Sequence, residues 1–390
     1  MVRFLTAGES HGSALTVIVE GLPAGIPIDP RAVARVMRRR RAGYGRGGRM
    51  AIETDDVEIV GGVRFGATLG APVALRIVNR DYERWREAMR TDGPRPPGDA
   101  ARAVTRPRPG HADLAGALKY DTHDARDVLE RASARETAAR VAAGALAAAL
   151  LGELGVAVTS RTVSVGGVAA EEFADERFDD LVALPDDAEL RCLARGEVDA
   201  MIAAIDGARV RGDSLGGSFE VLARGVPPGI GSHVHWDRRL DARLGAAVMS
   251  IPAVKAVSIG EGIEGAAAFG SAHHDEIAYD AARRSFVRPT NRAGGIEGGM
   301  SNGEMVRIRG YLKPLATLPR PLSSVDLVDK RGFPAAVERT DTIPIVAAGV
   351  VGEAMVAVVL ADEMLRKLGG DSVRETRRNL EGYLAQLREF

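Results

Sequence analysis

The run SARETAARVAAGALAAALLGELG, from Ser133 to Gly155, carries the clearest helical signature in the sequence. Ser133 and Glu136 have capping-box spacing, which predicts a serine serving the N3 amide and a glutamate reaching back. Alanine fills the interior, and Gly155 suits the position just past a helix C-terminus. Side chains this small let neighbouring elements approach closely, so the helix is expected at the centre of the molecule. Working outward, residues 156–168 (VAVTSRTVSVGGV) alternate as a strand should. The acidic segment 170–200 reads as a peripheral helical region, and 200–290 as further mixed elements. On the other side, residues 2–7 and 14–20 read as two strands around GESHG, paired like a hairpin. Asp29-Pro30 offers an N-cap and an N1 proline for a helix through Arg41. Strands follow near 57–63 and 73–78. Residues 91–112 are rich in Pro, Gly, Arg and Asp and read as a long loop, of the kind that in a compact protein carries function. A last long helix is expected within 345–367 and another near 372–387. Nothing resembles a flexible linker, so residues 1–390 read as one α+β domain.

Composition sets the limits. With 390 residues, 45% of them apolar and 27% charged, the chain is neither disordered nor fibrous and buries a large core unaided. Its single cysteine, Cys192, excludes an internal disulfide framework and a cysteine-rich zinc site, and fits a reducing cytosol. A net charge of −1 gives no protein-wide field to draw in nucleic acid or a membrane. That balance hides an asymmetry, because only five of the 52 basic residues are lysine and the rest are arginine. The opening MVRFLTAGESHG lacks the apolar core of a signal peptide. Residues 343–361 are the most apolar stretch, but Pro344 and Glu353 interrupt it, so it reads as buried core and not as a membrane span. The expected location is the cytoplasm.

Several motifs carry chemistry. GESHG (8–12) has the form of a nucleophile elbow, which would make Ser10 an esterase nucleophile, but an elbow needs a helix after it and here a strand follows. His11 sits between glycines, where backbone approaches a ligand freely. RRRRAGYGRGGRM (38–50) places Arg38, Arg39, Arg40, Arg41, Arg46 and Arg49 together. Such a tract binds nucleic acid in some proteins, but aromatics for base stacking make up only 4% of the chain. Capture of a small polyanion suits guanidinium forks better. RPRPGHAD (106–113) adds Arg106, Arg108 and His111, a residue suited to proton transfer. Arg131, Ser133 and Arg135 gather at a helix start, where two like charges call for a bound anion. Five glycines within 294–303 fit neither the P-loop nor the dinucleotide fingerprint. His233/His235 and His273/His274 lack a third ligand at a recognisable spacing, so no metal site is expected. Asp341, beside Arg339 in RTDT, is either a helix cap or a general base.

Taken together these motifs resemble the chorismate synthase family. GESHG, RRRRAGYGRGGRM, RPGHADL, RASARET, DSLGG (213–217), RPTNRAGGIEGGMSNGE, RTDT and VVGEAM (350–355) occur in the family's order across nearly the whole chain. The resemblance implies a β-α-β sandwich, with helices between two antiparallel sheets, assembled as a homotetramer. It implies a lyase of the shikimate pathway of aromatic amino acid biosynthesis. The reaction is anti-1,4-elimination of phosphate from 5-enolpyruvylshikimate 3-phosphate to give chorismate, dependent on reduced FMN. His11, His111 and Asp341 become the catalytic residues. Arg40, Arg46, Arg49, Arg108, Arg135 and Arg339 become substrate ligands. FMN contacts fall on Arg131, Ala132, Ser133, Ala253, Gly298, Lys313, Pro314, Leu315, Ala316 and Thr317, with Arg339 shared. No nicotinamide-binding domain is visible, so flavin reduced elsewhere is expected in preference to built-in use of NADPH.

Overall fold

The computed structural model of the chain describes residues 1–48, 53–338 and 340–390, and only the backbone of Asp99. Arg49 and Arg339, two of the expected ligands, lie outside the described residues.

Along Ala14–Glu20 the buried Leu15, Val17 and Val19 alternate with Thr16 and Ile18, so one face of this strand is committed to a core. It pairs antiparallel with Arg3–Ala7 on one side and Val73–Val78 on the other, and Val57–Gly61 completes a four-stranded sheet. The hairpin-like pairing around GESHG is therefore present. A second antiparallel sheet runs in the order Val254–Ile259, Val306–Leu312, Gly217–Arg224, Ala157–Val165, Val168–Ala169.

Helices fill the space between. Thr137–Glu153 packs on the Ala14–Glu20 strand of the first sheet, and Ile345–Leu368 packs on Ala157–Val165 and Gly217–Arg224 of the second. These two helices pack against each other, and Pro30–Arg41 packs on both. The expected sandwich is what the chain forms. Its inner helices approach closely because their contact surfaces are small. At Gly144 any Cβ would collide with Cα and Cβ of Ala354, so only glycine fits there. One hydrophobic cluster takes in side chains from both sheets and from the helices. Ile345–Leu368 is long and apolar enough to cross a membrane by composition, yet its most apolar 18 residues are wholly buried in the protein.

Local expectations fared unevenly. Asp29 accepts from the Arg31 amide at 2.8 Å and caps Pro30–Arg41 as read from the sequence. The capping box at Ser133 does not form. The helix starts at Thr137, after a 3₁₀ turn at Ala134–Glu136 and a separate helix, Arg126–Ala132, that periodicity did not reveal. Ser133 Oγ accepts from the Arg135 amide, whereas the Glu136 carboxylate accepts from Thr6 Oγ1 and Arg140 Nε. Segment 170–200 holds only the five-residue helix Phe178–Val182, a 3₁₀ turn and the start of Arg195–Arg211.

Candidate active site

A cavity of about 260 Å³ opens where several parts of the chain converge. Among these are the 8–12 turn, the 106–111 loop, the segment following Val306–Leu312, and the N-terminal end of Ile345–Leu368, from which Pro344, Ala347 and Ala348 face the cavity. The first backbone bond of that helix runs from Ala348 N to Pro344 O, and the amides of 345–347 before it have no backbone partner among the described residues, which favours an anion there.

His11 is held from several sides. Its amide donates to Glu130 Oε2 at 2.8 Å, and its Nδ1 lies 2.8 Å from Glu130 Oε1. The ring stacks on Trp85 with centroids 3.8 Å apart, and the guanidiniums of Arg102 and Arg126 also lie against that indole. Arg126 Nη1 donates to Glu130 Oε1 at 3.1 Å. Burial would raise the Glu130 carboxyl, but the His11 and Arg126 hydrogen bonds hold it below the usual range. An ionised carboxylate only accepts, so Nδ1 carries the proton and Nε2 is the remaining ring atom for a ligand.

His111 repeats the device on a different scaffold. Its Nδ1 lies 2.5 Å from Asp113 Oδ1, and Asp113 is fully buried. Arg108 Nε donates to Asp113 Oδ2 at 2.8 Å and Arg108 Nη1 to Thr317 Oγ1 at 2.8 Å. Burial works against the Asp113 anion, but His111 and Arg108 overcome it and depress its pKa strongly. Lys313 closes the loop from outside by donating to the Gly110 carbonyl.

Asp341 does not cap the helix that follows. Its Oδ1 accepts from Gly47 N at 2.6 Å and its Oδ2 pairs with Arg46 Nη1 at 2.8 Å, while Pro344 stands at the N-cap. Burial lowers the Arg46 pKa despite that pairing. The wall beside it holds Arg40 and Arg135. Both grip Asp55, Arg40 Nη2 at 2.5 Å, and Arg135 also reaches Asn79 Oδ1 at 2.9 Å. Burial opposes the Asp55 anion, but the two guanidiniums bring its pKa down to about 2. The charge at Arg135 is therefore compensated by the protein's own carboxylates, Asp55 and Glu53, and not by a required bound anion. Arg40 Nε is buried without a hydrogen-bond partner among the described residues.

Of the residues named from the sequence, His11, His111, Asp341, Arg40, Arg46, Arg108, Arg135, Ser133, Leu315, Ala316 and Thr317 line this cavity. Arg131 does not. It is exposed and ties the first strand down through the carbonyls of Thr6 and Gly8. Ala132, Ala253, Gly298, Lys313 and Pro314 are also off the lining, although Ala253 follows the lining pair Ile251-Pro252 at a left-handed φ of 71°. Sequence reasoning missed Glu130, Asp113, Trp85 and Asp55. Only Asp113 had a signal, its spacing of two from His111. The elbow reading of Ser10 fails, since a strand follows and Ser10 Oγ meets Ser133 Oγ at 3.1 Å. His235 pairs with Asp237 on the surface, and no metal-binding cluster of His, Cys, Asp and Glu occurs among the described residues.

The lining suits a flat anionic cofactor beside a polyanion. Ile251, Pro252, Leu312, Leu315 and Ala316 give apolar surface, the arginines give charge, and Arg40 Nε is a buried donor unused among the described residues. Comparison with known proteins points the same way. The chorismate synthase family profile matches residues 2–365. The chorismate synthases of Solibacter usitatus and Moorella thermoacetica are each 54% identical to this chain, with both chains fully covered. That of Aquifex aeolicus is 49% identical, covering 100% of this chain and 99% of its own. A crystal structure of chorismate synthase superposes with a TM-score of 0.79 at 40% identity, over 100% of this chain and 99% of the other. The chain belongs to the chorismate synthase family.

Proposed function

We propose that this chain eliminates phosphate from 5-enolpyruvylshikimate 3-phosphate to give chorismate, with reduced FMN bound in the same cavity. One observation carries the reading: among the described residues, two histidines with fixed tautomers, two carboxylates (Asp341 and Glu338) and four guanidiniums face a single cavity. A substrate with two carboxylates and a phosphate matches Arg40, Arg46, Arg108 and Arg135, with Arg49 and Arg339 as further ligands.

The reaction breaks the C6–H bond and the C–O bond to phosphate, and the C6–H electron pair enters the new diene, so there is no net oxidation. Asp341 is the base for the C6 proton. The hydrogen bonds from Gly47 and Arg46 hold its carboxylate in place. His11, carrying a proton on each ring nitrogen when it acts, donates the one on Nε2 to the departing phosphate and keeps Nδ1–H on Glu130. The guanidiniums and the helix N-terminus stabilise the negative charge that gathers on it. The chemistry that reduced FMN would supply when bound is transient electron transfer, which would ease loss of the leaving group. Ser133, Leu315, Ala316 and Thr317 would hold it within the cavity, with Arg131, Ala132, Ala253, Gly298, Lys313, Pro314 and Arg339 as outer contacts, and His111 set against its ring. Residues 1–390 act as one domain, four chains assemble, and FMN arrives already reduced.

His111→Ala and Asp341→Ala test the assignment. With reduced FMN under anaerobic conditions each is expected to lose about 10²-fold or more in turnover, the scale of a lost proton-transfer group, with near-normal melting. Wild-type chorismate production by either variant removes that residue from the mechanism.

A further inference from the structure

The group that makes His11 a directed proton donor lies 119 positions away, on the Arg126–Ala132 helix. We infer that Glu130 is the positioning residue for His11, locking both the backbone and the ring so that Nε2 faces the cavity. The inference rests on the reading of His11 as proton donor.

Three hydrogen bonds converge from this one residue. The Glu130 carbonyl accepts from the Ser10 amide at 2.9 Å. Its Oε2 accepts from the His11 amide at 2.8 Å, and its Oε1 accepts from His11 Nδ1 at 2.8 Å. The 10–11 backbone and the imidazole are thus fixed to one rigid helix. Arg126, one turn earlier on that helix, donates to Oε1 and also pairs with Glu338 at 2.9 Å. Trp85 covers one face of the ring. Glu130 itself is 2% exposed, so water does not compete for its oxygens.

The demand on Glu130 is for acceptors alone. Two donors of His11 and one of Arg126 point at its two oxygens, and a carboxylate satisfies all three. A carboxamide of the same shape offers one acceptor and one donor. In Glu130→Gln, therefore, either the His11 amide loses its partner or the NH₂ faces Nδ1. The second outcome makes Nδ1 an acceptor, so the doubly protonated ring that donates from Nε2 loses the partner that holds its Nδ1–H.

Five proteins tested together separate this inference from the reading beneath it: wild type, Glu130→Gln, Glu130→Asp, His11→Asn and the double variant of Glu130→Gln with His11→Asn. Turnover is measured with reduced FMN and 5-enolpyruvylshikimate 3-phosphate, and the histidine tautomer by ¹⁵N NMR of histidine-labelled protein. His11→Asn is expected to lose about 10²-fold or more in kcat. Glu130→Gln is expected to lose at least about tenfold in kcat, with KM within about threefold. The double variant should be no slower than His11→Asn, because Glu130 acts only through the ring. Wild type should show Nδ1–H for His11 and a hydrogen-bonded His11 amide, and Glu130→Gln should lose one or the other. Glu130→Asp, which keeps the charge, should keep Nδ1–H and recover part of the lost kcat even if the glutamine variant melts early. Full activity of Glu130→Gln, an unchanged tautomer together with an unchanged His11 amide, or losses that add in the double variant would overturn the inference. Full activity of His11→Asn would instead overturn the proton-donor reading itself.

Discussion

The two histidine corners of the cavity use the same polar device on unlike supports. At His11 the ring sits in a tight turn between paired strands, stacked on Trp85, with a side chain only 9% exposed. At His111 the ring sits in an irregular loop, tied by Arg108, Thr317 and Lys313, and is 21% exposed. In both, Nδ1 meets a buried carboxylate that an arginine also holds. The shared part is what proton chemistry needs, a fixed tautomer. The differing part separates the roles: the enclosed ring suits donation to a leaving group, and the more open ring suits contact with a bound cofactor.

The largest effect should come from breaking the looser corner's anchor. Asp113→Asn leaves Arg108 buried without its carboxylate, and about 3–5 kcal/mol of stability should be lost in urea unfolding. If stability is unchanged, the loop is held by something other than this pair. Next in size is a test of what the two corners share, charge compensation by a buried acid. Asp55 titrates near 3.8 unfolded and about 2 folded, so its stabilisation is complete above pH 4 and fades as pH falls toward 2. Wild type should lose about 2 kcal/mol more than Asp55→Asn over that interval. Parallel acid limbs for the two proteins would show that the arginine wall is neutralised elsewhere. The smallest effect should be Trp85→Phe, which keeps an aromatic face and costs about 1 kcal/mol. It should shift the His11 ring resonances and leave those of His111 in place. Equal shifts at both rings would mean that the corners are not independent.

How much of this was legible in the sequence depended on the range of the interaction. Local chemistry read correctly. Asp29-Pro30 starts its helix, GESHG turns between paired strands, and the apolar run near 345–367 is a core helix. The capping box failed although its spacing was right, because other partners, one a turn along the helix and two distant in sequence, displaced the pair. Glu136 is taken by Arg140 and Thr6, and Ser133 turns toward Ser10. The arginines and histidines of the site stood out through clustering and rarity. The acids that direct them did not, since Glu130 and Asp55 are two among 53 acidic residues and meet their partners only through the fold. The charge argument for a bound anion at Arg135 failed for the same reason.

The most direct test takes the unaltered protein. It is incubated anaerobically with reduced FMN and 5-enolpyruvylshikimate 3-phosphate, and chorismate and phosphate are followed together. The account predicts that both appear at equal rates and that neither appears without reduced flavin. Phosphate released without chorismate, or no turnover by protein with reduced FMN bound, would contradict it.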